Sequence, residues 1–116
     1  MTDAESPQRP WGFVEVLAEE RDHKVTRITI TPGGRLSLQR HQRRWEHWYV
    51  VKGSATATLG DKKLKLSAGA SVDVPVKTVH RIENTDSESF VLIEIQRGEY
   101  FGEDDIERFE DDYGRT

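Results

Sequence analysis

Short runs of alternating apolar and polar residues, each ended by glycine, proline or a polar pair, dominate this 116-residue chain. A period of two marks a strand, because successive side chains leave opposite faces of the ladder. Residues 25–31, VTRITIT, set the pattern, and Pro32, Gly33 and Gly34 end it as a turn. Strands are predicted next over 35–41 and 45–51, separated by a turn at 42–44. Further strands over 55–59 and 62–66 are joined by Gly60 and Asp61, a good two-residue hairpin turn. Residues 71–74, 78–83 and 90–96 complete the set. Many short strands with turn residues between them predict an all-β sandwich or jelly-roll barrel. The tail is the one helical candidate: Ile106, Phe109 and Tyr113 recur at spacings of three and four. A short C-terminal helix is expected there, with Phe109 and Tyr113 packed on the barrel and the acidic groups solvated.

Strand parity sorts the side chains. If Gln39 and His41 face the barrel interior, Leu36 and Leu38 face outward. Glu46, Trp48 and Val50 share one face of their strand, and Trp45, His47, Tyr49 and Val51 share the other. Large apolar groups therefore stand on both faces. An apolar outer face calls for a cover, which predicts a homodimer unless residues 11–17 and the acidic tail cover it alone.

Length implies a single domain over 1–116. Hydrophobic residues make up 34% and charged residues 33%, so the core must be small. The chain has no cysteine, which leaves no disulfide framework. The opening MTDAESPQRPWG has no apolar signal region, and no run approaches the ~20 apolar residues of a membrane span. A cytoplasmic protein with no membrane partner is expected. Residues 103–112, EDDIERFEDD, hold seven acids against one arginine, so the rest carries +2 of the net −4. That acidic balance argues against nonspecific nucleic-acid binding. The positive remainder includes Arg35, Arg40, Arg43 and Arg44, which suit a phosphate or carboxylate or else form a solvated basic loop.

Four residues are candidate metal ligands: Gln39, His41, Glu46 and His80. They supply two oxygen donors and two imidazoles from separate strands. Such a set suits zinc first, with Mn, Co, Ni, Fe or Mg also compatible, and the lack of thiolates weighs against softer metals. With one carboxylate the loaded site is net positive and favours an anionic or oxygen-rich ligand. The alternative is a polar cavity without metal. His23 in ERDHK reads as a surface residue, and His47 has the opposite parity to Glu46, so it should point away from the metal. The spacing is Gly33-x5-Gln39-x-His41-x4-Glu46-x6-Gly53, then Gly69-x5-Pro75-x-Lys77-x2-His80-x3-Asn84. It resembles the two motifs of the cupin family, with Gln39 where a first histidine is usual and Lys77 where glycine is preferred. The resemblance implies a double-stranded β-helix.

A narrower resemblance covers almost the whole chain. Its segments are RPWGFVEVL (9–17), KVTRITITPGGRLSLQRH (24–41), EHWYVVKGSATATLGD (46–61), VPVKTVHRIEN (74–84) and IEIQRGEYFGEDDIERFEDDYGR (93–115). These are similar to the C-terminal cupin domain of type II mannose-6-phosphate isomerases, usually fused to mannose-1-phosphate guanylyltransferase. The closing segment is the most specific, since generic cupins lack it. The resemblance implies interconversion of mannose 6-phosphate and fructose 6-phosphate, with Gln39, His41, Glu46 and His80 as metal ligands. Arg44 falls on the arginine of the family's HRAEHW segment, a functional position. RRWEHW here differs: Arg43 stands where a second histidine is common, and Trp45 replaces a small residue. Guanidinium stays protonated, so Arg43 is no ligand, and the substrate side of the pocket is expected to be altered. The nucleotidyltransferase half is not matched, so no sugar-nucleotide synthesis is expected of these residues.

Isomerisation through an enediol needs a group that takes the C2 proton and returns it at C1. Glu94 shares a strand face with Gln96 and is the best carboxylate if that face is inward; otherwise it serves as a structural partner of an arginine. Lys77, Arg81 and Arg97 are secondary candidates for phosphate contact. Two further functions stay open: a non-catalytic cupin that binds a sugar or sugar phosphate, and another metal-dependent cupin activity such as an oxygenase. The second is weakened by Gln39, because iron oxygenases commonly present more imidazoles.

Overall fold

The computed structural model describes residues 8–114; the opening seven residues, read above for a signal region, and Arg115 of the closing segment lie outside them. The alternating segments become β1 (Gln8–Arg9), β2 (Gly12–Glu19), β3 (His23–Ile30), β4 (Leu38–His41), β5 (Arg44–Lys52), β6 (Ser54–Leu59), β7 (Lys62–Ser67), β8 (Ser71–Val74), β9 (His80–Glu83), β10 (Phe90–Gly98) and β11 (Ile106–Glu110). They form a six-stranded sheet in the order β1-β2-β3-β10-β5-β8 and a five-stranded sheet in the order β11-β4-β9-β6-β7. Ile28, Ile30, Trp48, Val50, Ala55, Ala57, Leu66, Ile82, Phe90 and Leu92 fill the core between them. No helix among the described residues is long and apolar enough to cross a membrane.

The expected turns are in place. Gly53, which ends the first motif, has φ 90, and a Cβ there would stand 2.6 Å from the carbonyl oxygen of Ser89. Lys77, at the position where glycine is preferred, adopts φ 65 and donates its backbone N–H to the carbonyl of His41 at 2.6 Å. The motif's glycine preference thus reflects a left-handed backbone that lysine tolerates at some cost.

Three expectations are corrected. The tail is no helix: a 3-10 turn at Glu103–Asp105 leads into β11, which pairs antiparallel with β4. The edge of β4 offers unpaired backbone groups, and a five-residue segment holding Ile and Phe satisfies them better as a strand than as an isolated turn of helix. Phe109 and Tyr113 remain exposed, although the guanidinium of Arg40 lies 5.3 Å from the Phe109 ring. The tail's acids are not all solvated, since Asp105 is buried and Arg35, Arg40 and Arg81 pair with Asp112, Glu107 and Glu110.

Leu36 faces the core, not solvent. Residues 35–37 are irregular, with a lone bridge between Arg35 and Glu83, so strand parity does not extend back from β4. Nor does the N-terminal segment cover the outer face. It forms β2 and extends the sheet beside β3, leaving Trp45, Tyr49, Val51 and Ile95 exposed.

Candidate metal centre

The inward positions of three strands converge. β5 turns Glu46 and Trp48 inward, β4 contributes His41, and β9 contributes His80. Each of His41, Glu46 and His80 offers a ligand atom, and these atoms lie within 4.8 Å of one another. All three side chains are only 2% exposed, which places the group out of bulk water.

Neighbours orient each of them. The carbonyl oxygen of Thr78 lies 2.9 Å from His80 Nδ1 and receives its proton. That leaves His80 Nε2 with its lone pair, buried, with no hydrogen-bond partner among the described residues and 3.8 Å from Glu46 Oε1. Trp48 Nε1 donates to Glu46 Oε1 at 3.0 Å. Arg44 donates through Nε to Glu46 Oε2 at 3.2 Å and through Nη2 to His41 Nε2 at 2.8 Å. Burial, reinforced by Arg44, pushes the His41 imidazole down to about 3; burial likewise lowers His80. Both rings are therefore neutral at pH 7, the form in which imidazole binds a metal. Neutral imidazoles, a carboxylate and an orphaned buried lone pair fit a divalent cation.

Gln39 sits directly across from His80 in the ladder, with its Oε1 accepting the Ser37 hydroxyl at 2.6 Å. It lines a cleft of about 920 Å³ together with Arg44, Thr26, Glu94 and Gln96. His41, Glu46 and His80 lie behind that lining, and Arg44 stands between them and the cleft.

Glu94 faces inward. Thr26 and Trp48 are its ladder partners on β3 and β5, and its Oε1 accepts from Thr26 Oγ1 at 3.3 Å and from Gln96 Nε2. Those partners replace the arginine of the structural alternative. Burial, and then the neighbouring Glu46 carboxylate, push the Glu94 carboxyl up to about 7.

The other cationic candidates stay away from the centre. Arg43 pairs with Glu99 at 3.1 Å and lies 4.5 Å from the Tyr100 ring, while Trp45 lies on the outer face beneath Arg97, 5.6 Å away. Neither departure in RRWEHW lines the cleft itself, but the two residues that Arg43 contacts, Glu99 and Tyr100, do. Arg97 points outward and Lys77 is exposed. Arg81 is committed to the carbonyl of Leu36 at 2.9 Å and to Glu110. His47 points outward and pairs with Asp73 at 2.6 Å, and His23 pairs with Asp22 at 2.8 Å.

One contributor escaped sequence reasoning. Asp105 accepts the backbone N–H groups of Gln42 and Arg43, both at 3.1 Å, and so holds the turn between His41 and Glu46. Among seven clustered acids nothing local singled it out.

The two-sheet barrel with its two motifs and its His–Glu–His group defines a cupin. A solved protein from Klebsiella pneumoniae, described as an uncharacterized conserved protein with a double-stranded beta-helix domain, superposes with a TM-score of 0.78 at 21% identity, covering 94% of this chain and 93% of that one. Residues 2–111 match the family described as mannose-6-phosphate isomerase C-terminal, and the chain belongs to that family. The xanthan biosynthesis protein XanB of Xanthomonas campestris is 48% identical over 108 residues, which is 93% of this chain and 23% of that protein. A mannose-1-phosphate guanylyltransferase of Escherichia coli is 41% identical over 107 residues, 92% of this chain and again 23% of the relative. The chain thus spans about a quarter of the length of these relatives.

Proposed function

We propose that the protein is a metal-dependent aldose–ketose isomerase that interconverts mannose 6-phosphate and fructose 6-phosphate. The observation that carries this reading is the buried His41–Glu46–His80 group with a proton-holding carboxyl, Glu94, beside it. Family membership supports a sugar phosphate as the substrate class. Gln39, His41, Glu46 and His80 would hold the cation, zinc in the first instance. When bound, it supplies Lewis acidity for the oxygens on C1 and C2.

The chain's own groups perform the proton work. Glu94 takes the proton from C2 and returns it at C1, while the O2 hydroxyl proton passes to O1, so that atoms balance through an enediol. A carboxyl held near neutrality suits a group that must both accept and return a proton. Arg44, at the cleft floor, offers a fixed positive charge to an oxyanion or phosphate oxygen.

The test measures metal and turnover separately. Unaltered protein should hold about one divalent metal per chain and convert mannose 6-phosphate, whereas His41→Ala and His80→Ala should each lose the metal while remaining folded. Full metal occupancy in both variants would overturn the ligand assignment. Binding of mannose 6-phosphate without fructose 6-phosphate formation, across Zn, Mn, Co and Mg, would establish the non-catalytic sugar-phosphate cupin instead.

A homodimer through the outer face of the six-stranded sheet belongs to the same reading. Trp45, Tyr49, Val51 and Ile95 project there from adjacent strands β5 and β10, and a second copy meeting this face about a two-fold axis would cover both. Sedimentation should give twice the chain mass, reduced to the single mass by Tyr49→Asp. A monomer at micromolar concentration in the unaltered protein would exclude the dimer.

A further inference from the structure

We propose that Arg108, on the added strand β11, binds the phosphate of the sugar substrate; the assignment rests on the sugar-phosphate reading above. Three strands line up one row. His80 on β9 is paired with Gln39 on β4, and Gln39 is paired with Arg108 on β11. Side chains in one such row leave the same face of a sheet. The burial of β11 agrees, since Glu107 and Phe109 are exposed while Arg108 between them is half-buried and lines the cleft. Neighbouring strands lie ~4.8 Å apart, so the Arg108 backbone stands about 10 Å along the row from His80. That is the scale of a hexose with its reacting carbons over the metal ligands and its phosphate at the far end.

The strand is held for this task from its outer side. Glu107 pairs with Arg40 at 2.8 Å, Glu110 pairs with Arg81 at 3.3 Å, and Asp105 anchors the strand's start to the turn after His41. The outward acids thus secure β11, and its inward arginine faces the cleft. A phosphate dianion has oxygens for more than one planar donor pair, and Arg108 adds a second guanidinium to the cleft that Arg44 lines. On this reading β11 carries the group that selects a phosphorylated sugar.

The experiment titrates zinc-loaded full chain with mannose 6-phosphate and with mannose, followed by ligand-observed NMR. Arg108→Gln should weaken mannose 6-phosphate binding about 10- to 100-fold, leave mannose binding within twofold, and leave zinc content unchanged. Arg108→Lys, which keeps the charge without the fork, should fall between. Equal binding of mannose 6-phosphate by the unaltered protein and both variants would overturn the proposal and leave the isomerase reading standing. An equal loss for both sugars would also overturn it, as the mark of a purely structural residue. Failure of the unaltered protein to bind mannose 6-phosphate would remove the sugar-phosphate reading, and this proposal with it.

Discussion

Glu94→Gln is expected to lower kcat for isomerisation by about 10²–10⁴-fold, the usual contribution of a positioned acid–base group, with metal content unchanged. The substitution preserves size and can preserve hydrogen bonding: a glutamine oxygen accepts from Thr26 and Gln96, and its amide donates toward Glu46. Only proton exchange is lost. The same variant should behave oppositely in stability. The Glu94 carboxyl is raised from 4.5 to about 7 in the folded chain. The folded protein therefore keeps a proton that the unfolded chain releases between those values. Stability falls as pH rises through that window, and glutamine carries no such loss. In chelator-treated protein, Glu94→Gln should melt higher than the unaltered chain at pH 8, the difference shrinking below pH 4.5. The displacement corresponds to roughly 3 kcal/mol at most. His41 and His80 shift the other way, and because the Glu94 charge partly offsets the burial of both rings, Glu94→Gln lowers them further, so both stay neutral in the folded variant across this window. A kcat within tenfold of the unaltered enzyme would remove Glu94 from the mechanism.

Truncation after Gly102 should cost at least about 3 kcal/mol, a large share of the 5–15 kcal/mol typical of a domain. The loss does not come from buried aromatics, since Phe109 and Tyr113 are exposed. It comes from the β11–β4 ladder and from Asp105, whose carboxylate accepts two backbone N–H groups. Hydrogen bonds to a charged group contribute more than neutral ones. The exposed pair Arg40–Glu107 adds little. Because the Gln42–Arg43 turn sets His41 against Glu46, the truncated protein should also lose metal affinity. Asp105→Ala should reproduce part of both effects. An unchanged melting temperature and metal content after truncation would show that the strand holds neither the fold nor the centre.

Strand periodicity was enough to set Glu46 and His47 on opposite faces, because alternation is a local rule obeyed wherever a strand is continuous, whereas His80 stood out only through the spacing of the second motif. The same rule put Trp45 on the outer face. Leu36 failed because the ladder breaks before β4, and alternation holds no meaning across an irregular stretch.

The chain's sequence by itself determined the cupin barrel and the family and singled out His41, Glu46 and His80 as a candidate donor group, since these depend on period-two patterning and on fixed spacings within each motif. Only the tertiary structure decided that the tail is a strand, that Asp105 ties it to the His41–Glu46 turn, and that Glu94 holds its proton near neutrality. Each of these rests on which sheet edge is left open and on how far a group is removed from water. Both are set by residues distant along the chain, beyond the reach of any local pattern.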